Sequence, residues 1–279
     1  MGRFAEVLID EVKKYWNARP CNIKHSTKPL GSKDYFEEVE KRKFFVEPHL
    51  VKFADFPSIQ GKKVMEIGCG LGTTMINFAK SGAVKISAVD LSDASIALAK
   101  QRAEVYGYQD KIDFYNINAE TLSSHIPQDQ YDLIFSFGVI HHTPHPEKIL
   151  KEIHPFLSPQ GRLKIMVYYR YSWKVLWIVM KYGKFQFWKL SKLVAKYSEA
   201  QTGCPITYIY SKKEAKKLFE SSGYRVLKME VEHIFPYKIP QYVKYQYVKE
   251  WYFRWMPQKL FNYLESLLGW HLCITAAKK

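Results

Sequence analysis

The segment VMEIGCGLGTT (64–74) sets glycines at positions 68, 70 and 72, with the carboxylate of Glu66 two residues ahead of the first. An apolar run leads into it and a helical pattern leaves it, which makes it a strand-to-helix turn. Glycines there let the backbone bend sharply and lie against a ligand, while the helix N-terminus points at that ligand. A tight turn with no ligand is the plainer alternative. Spacing excludes two familiar phosphate loops. A G-x-G-x-x-G fingerprint counted from Gly68 needs glycine where Thr73 stands, counted from Gly70 it needs glycine where Met75 stands, and no G-K-[ST] triplet occurs.

Eighteen residues after Gly72 a second apolar run ends in Asp90. A carboxylate there can accept both ribose hydroxyls of a nucleoside. A third run leads to Asn118, Ala119 and Glu120, whose polar side chains could meet an adenine edge. A fourth is followed by Phe137, Gly138, His141 and His142, and a fifth by Tyr168 and Arg170. Open α/β sheets bind ligands at the carboxyl ends of their strands, so these runs converge on one crevice.

The elements that must carry these residues follow from periodicity. Apolar runs at 64–67, 84–89, 112–115, 133–137 and 163–168 alternate with helical patterns at 73–80, 93–106 and 146–156. Strands alternating with helices imply right-handed crossovers and a parallel, doubly wound sheet covered on both faces. A helix at 212–222, a strand at 225–232 and a last strand at 270–276 complete it. Residues 1–60 form an N-terminal helical extension, in which Phe4, Leu8, Val12 and Tyr15 fall at helical spacing. Gly61 opens the main domain, 61–279, interrupted by inserts at about 171–211 and 233–269.

Residues 62–170 resemble a class I S-adenosylmethionine-dependent methyltransferase, most like the bacterial ubiquinone and menaquinone biosynthesis group. The likeness rests on VMEIGCGLGT, AVDLS, NAE, and FGVIHHTP followed by FLSPQGRLKIMVYY. It implies a Rossmann-like seven-stranded sheet and S-adenosylmethionine as cofactor, with S-adenosylhomocysteine as product. Glu66 would balance the charged methionine portion through a loop of Gly68, Cys69, Gly70, Gly72 and Thr73. Asp90 would bind the ribose, Leu91 would flank the adenine, and Asn118, Ala119 and Glu120 would meet its edge, with Phe137 and Gly138 closing the site. Asn118 departs from the family's usual Asp and gives a contact without charge assistance.

Methyl transfer from a sulfonium is an in-line displacement in which the protein mainly aligns the partners and excludes water. A base is needed only for a protonated acceptor, and His142 and His141 are the candidates, with packing and capping as the alternative role. Arg170, beside Tyr168, could hold an acceptor carboxylate or phosphate; a surface arginine is the alternative. The family's strand order sends both inserts off the ligand-binding edge, which predicts a lid of three pieces lined by Tyr15, Trp16, Arg19, Tyr208 and Tyr210. His141, His142 and His145 lie close in sequence, yet Pro144 and Pro146 make the loop irregular, so no metal site is expected.

The net charge of +15 is unevenly placed. Residues 1–160 hold 20 basic and 20 acidic side chains, whereas residues 161–279 hold 22 and 7, together with 26 of the 44 aromatics. A helical cap with an aromatic core and a lysine-coated outside accounts for this. An anionic small-molecule or peptide acceptor, or a bilayer surface met peripherally, would also suit it. Nucleic acid is disfavoured, since no RNA-binding module or arginine tract is visible. A non-catalytic protein that keeps the cofactor pocket and binds an anionic partner through the cap is the rival reading. Apolar runs are far too short to cross a bilayer, no leader opens the sequence, and Glu6 stands where a myristoylation signal needs Ser or Thr. Four cysteines without a C-x-x-C pair suit the cytoplasm.

Overall fold

A computed structural model describes residues 7–198 and 203–279. Phe4 of the expected first helix and residues 199–202 of the first insert lie outside them.

The strands are β1 (Lys63–Ile67), β2 (Lys85–Asp90), β3 (Ile112–Asn116), β4 (Tyr131–Phe137), β5 (Leu157–Tyr169), β6 (Ile209–Tyr210), β7 (Tyr224–Glu232) and β8 (His271–Lys278). The helices are α1 (Ile9–Ala18), α2 (Lys33–Val46), α3 (Pro48–Ala54), α4 (Thr73–Lys80), α5 (Asp93–Tyr106), α6 (Pro146–Ile153), α7 (Trp173–Gly183), α8 (Leu190–Tyr197), α9 (Lys212–Ser221), α10 (Ile239–Tyr242), α11 (Trp251–Arg254) and α12 (Gln258–Leu268). The sheet runs β3-β2-β1-β4-β5-β8-β7, with β6 paired to β5 off that path. Strands β1 to β5 pair in parallel, and β8 is antiparallel to both β5 and β7.

The continuous apolar runs of β1, β2 and β4 are buried on both faces, as a parallel sheet requires. One face packs against Phe53 of α3, Met75 and Phe78 of α4 and Ile96 and Ala99 of α5. The other packs against Ile149, Leu150 and Ile153 of α6 and Phe219 of α9. Local caps set the crossover helices: Ser92 caps α5, and Ser211 with Glu214 forms a capping box on α9.

Three expectations need correction. The sheet has eight strands instead of seven. β4 ends at Phe137, opposite Met166, whereas β5 continues to Tyr169. Tyr168 and Tyr169 would leave a backbone edge open there, and β6 fills it. The helix from 146 stops at Ile153, because β5 starts at Leu157, six residues before the apolar run that announces it. The aromatics of the inserts do not form a closed core. α7 buries Val175, Ile178 and Val179, and Trp188, Trp251 and Trp255 are 78%, 75% and 81% exposed.

Candidate functional site

The turn after β1 is built by hydrogen bonds to β2. Gly68 and Cys69 donate their amides to the Val89 carbonyl at 2.7 and 3.1 Å, and Gly70 donates to Asp90 Oδ2 at 2.8 Å. Ser92 donates its amide to the other oxygen of Asp90 at 2.8 Å, so one carboxylate fixes both loops. Gly68 has φ +76°, and a side chain there would strike Val139 beyond β4. Gly70 has φ +53° and faces open space. The loop is therefore tight on its inner side and bare on its outer side.

The bare side opens on a cleft. Its floor is Glu66 of β1, Gly68, Cys69, Gly70 and Thr73 of the turn after it, Asp90 and Leu91 at the end of β2, Asn118 and Ala119 beyond β3, and Phe137, Gly138 and His142 at and after the end of β4. Ile9, Val12 and Trp16 of α1, then Cys21, Asn22 and Lys43, form its cover. Glu66 is buried, and its Oε2 has no hydrogen-bond partner. Burial raises its pKa to about 8, against the opposing pull of Lys43 and with a further push from Asp90. Burial likewise raises Asp90 above the ordinary carboxylate value and drives the Cys69 thiol well upward.

The two histidines after β4 differ. His142 lies on the cleft wall, and its Nδ1 is 2.8 Å from the Ile206 carbonyl. A carbonyl only accepts, so Nδ1 carries the proton, and in the neutral ring Nε2 holds the lone pair. Trp16 packs against the same ring, with centroids 5.3 Å apart. His141 is fully buried off the wall, 3.9 Å from the Tyr168 ring, with neither nitrogen hydrogen-bonded. Burial holds its pKa well below the ordinary value.

Other expected residues stand elsewhere. Arg170 does not reach the cleft, because it pairs with Glu214 of α9 at 2.8 Å. Tyr168 stacks on Trp270 at 4.0 Å, away from the cleft wall. Gly72 turns the chain into α4 behind the wall. Asn118 Oδ1 accepts the Glu120 amide at 3.0 Å, capping the turn that follows, and Glu120 accepts the His145 amide at 2.9 Å away from the cleft. Asn118 keeps its place on the cleft floor beside Ala119, whereas Glu120 does not line the cleft.

The three-piece lid reduces to one piece among the described residues, since neither insert lines the cleft. The first insert reaches the site from behind His142, whose Nδ1 meets the Ile206 carbonyl, Thr207 Oγ1 at 3.3 Å and Cys204 Sγ at 3.4 Å. α12 covers Glu232 and His233 instead: Glu265 accepts the Ile234 amide at 3.0 Å. Tyr15 borders a separate surface hollow with Lys192 and Lys196, and Arg19 lies over its ring. Tyr208 bonds the Pro144 carbonyl, and Tyr210 is buried in β6. Sequence reasoning missed Lys43. Helical spacing placed it on α2, but no local signal told which face of α2 meets β1.

A family model described as a methyltransferase domain matches residues 59–223. Ubiquinone biosynthesis O-methyltransferase of Pseudomonas putida is 28% identical over 106 residues, 38% of this chain and 44% of that protein. The chain thus spans less than half the length of the curated relatives it matches. Magnesium protoporphyrin IX methyltransferase from Synechocystis PCC 6803, solved with bound S-adenosylhomocysteine, superposes with a TM-score of 0.61 at 14% identity, covering 98% of this chain and 100% of that one. Geranyl diphosphate C-methyltransferase from Streptomyces coelicolor A3(2) gives 0.61 at 15% identity, with 97% of each chain covered. These two likenesses establish the fold.

Proposed function

The chain belongs to the methyltransferase-domain family, and from that premise we propose that it is an S-adenosylmethionine-dependent methyltransferase acting on a small molecule or peptide, at an acidic oxygen in preference to nitrogen. The cleft suits that cofactor. The buried Glu66 Oε2 offers an acceptor to an ammonium group, the outer face of Gly70 leaves room for close approach, and Asp90 sits where ribose hydroxyls can be bound. When bound, S-adenosylmethionine supplies a methyl group already activated on a positively charged sulfur.

The chain's own residues then have three tasks. The glycine turn and Asp90 hold the donor at the sheet edge. Trp16 and the apolar side of α1 cover the cleft and keep water out. His142 takes the proton of the acceptor hydroxyl at Nε2, with the Ile206 carbonyl fixing the tautomer from behind. That hydrogen bond carries the preference for oxygen, because a neutral amine already presents a lone pair, whereas a hydroxyl must give up its proton. The test is transfer of a labelled methyl group from S-adenosylmethionine to a panel of phenols, enols, carboxylic acids and amines, run beside calorimetric binding of S-adenosylhomocysteine. Binding without transfer to any acceptor would reject catalysis, and transfer to amines alone would reject the oxygen assignment.

A second reading concerns where the acceptor is met. The exposed Trp188, Trp251 and Trp255 stand in the strongly basic half of the chain, a composition that suits peripheral contact with an anionic bilayer and an amphiphilic acceptor. No helix among the described residues is long and apolar enough to cross a membrane. Buried thiols at Cys69 and Cys273 fit a cytoplasmic setting.

A further inference from the structure

Behind Phe137, on the side away from the glycine turn, three imidazoles and a carboxylate meet at the junction of three segments. His271 opens β8, His233 follows β7, and Glu47 and His49 form the corner between α2 and α3. His233 and His271 are buried and their rings stack at 4.5 Å. His49 lies 5.0 Å from the first ring of that stack and 5.2 Å from the second, counted from His271. Glu47, His233 and His271 each present one ligand atom, and these atoms lie within 4.8 Å of one another. A tetrahedral ion with nitrogen and oxygen bonds near 2.1 Å sets its ligands about 3.4 Å apart, so the side chains need draw in by at most ~1.4 Å.

We propose that Glu47, His233 and His271 bind a divalent transition-metal ion of the zinc class, with His49 as the residue that orients His271. Two imidazoles and one carboxylate form a donor set for such ions, and an all-oxygen set for magnesium or calcium is absent at this cluster. With Nε2 of His271 on the ion, the His49 Nε2 to His271 Nδ1 hydrogen bond, at 2.9 Å, would fix the ring through the other nitrogen, the usual arrangement around metal-bound histidine. The backbone supports the same reading. His233 has φ +74°, an uncommon conformation for a residue with a side chain, and its carbonyl accepts the Trp270 amide at 2.9 Å, so the turn holds its ring against His271. Sequence spacing hid the set because its members are drawn from positions 47, 233 and 271. An ion here ties the α2–α3 corner to the β7–β8 edge. Its nearest link to the cleft is Phe137, which lines the cleft and meets the His271 ring edge-on at 5.5 Å.

The proposal does not draw on methyl transfer, so its test reads the metal itself. The full chain, prepared without a histidine tag and stripped with chelator, is titrated with Zn2+ against a chromophoric chelator and with Co2+ by visible absorption. One equivalent should bind, with the intense band of four-coordinate Co2+. Glu47→Gln and His233→Gln should each weaken binding at least a hundredfold, and His49→Ala by 10–100-fold. Binding of S-adenosylhomocysteine reports folding at a separate site; should His271→Gln fail that control, Glu47→Gln, at a partly exposed corner, carries the test. No binding by the wild-type chain, or unchanged affinity in folded Glu47→Gln and His233→Gln, overturns the proposal.

Discussion

Arg102 of α5 donates to Glu40 of α2 at 2.7 Å, joining positions 62 residues apart with a guanidinium that is wholly buried. The same guanidinium donates to Thr73 Oγ1 at 2.7 Å, and Glu40 also accepts from Asn77 of α4 at 2.8 Å. The helix that leaves the glycine turn is thus locked to the N-terminal extension that covers the cleft. Removing one partner of a buried pair leaves an uncompensated charge, which costs about 3–5 kcal/mol. Glu40→Ala should lower the unfolding free energy by that amount in a urea titration, and Glu40→Gln by less. A loss below about 1 kcal/mol would show that α2 is held by its apolar contacts alone.

Asp90 links the two loops at the ends of β1 and β2 through the amides of Gly70 and Ser92. Asp90→Ala frees both amides and removes the charge proposed to meet the ribose. Hydrogen bonds to a charged group contribute about 1.5–3 kcal/mol, so affinity for S-adenosylhomocysteine should fall at least tenfold by calorimetry. Retained affinity in a folded variant would move the ribose site elsewhere.

Glu66 gives a pH signature. Its pKa in the folded chain, about 8, lies above the ordinary value of 4.5, mainly through burial. The stability contributed by the protonated acid is complete below pH 4.5 and is lost as pH rises through about 8. Glu66→Gln cannot ionise. It should match the wild-type chain near pH 4.5 and exceed it by several kcal/mol near pH 9, measured without ligand. Equal pH profiles would mean that water or a shifted Lys43 stabilises the carboxylate.

The side of the cleft formed by the ends of β1, β2 and β3 was legible because its residues are local. Glu66, the glycines, Asp90 and Asn118 each follow an apolar run, and periodicity alone sets them at strand ends. What was not legible depends on distant partners. Arg170 reads as a free cation until α9 brings Glu214 to it. The position of Asn118 was legible, but not that its oxygen also caps the next turn. Lys43 and the histidine cluster come from separate segments, and the two-residue β6 is too short for any period.

The basic half of the chain makes a prediction at a lipid surface. Trp188, Trp251 and Trp255 are more than two-thirds exposed. Co-sedimentation with vesicles containing anionic lipid should be seen, and should weaken as salt is raised. Burying a side chain of this size is worth about 1.5–3 kcal/mol, so replacing Trp255 by Ala should weaken the partition roughly tenfold. Equal binding to neutral vesicles, or none to either, would remove the bilayer from the account.

His142 carries the sharpest functional prediction. Its Nδ1 faces the Ile206 carbonyl, Trp16 packs on its ring, and the ring lines the cleft at the end of β4, across from the turn proposed to hold the donor. General bases contribute about 10²–10⁴-fold to proton-coupled steps. His142→Gln has no basic nitrogen, so transfer to a hydroxyl acceptor should fall within that range while S-adenosylhomocysteine still binds. An acceptor already ionised at the assay pH should lose much less. That difference separates a base from a residue that only shapes the wall, because a wall residue would affect both acceptors alike. His141→Gln gives the complementary readout: His141 lies off the cleft between the His142 and Tyr168 rings, at 4.2 and 3.9 Å, so its loss should show in stability and leave the acceptor dependence of transfer unchanged. Equal rates for His142→Gln and the wild-type chain on a neutral phenol would transfer the base role to the acceptor itself or to water.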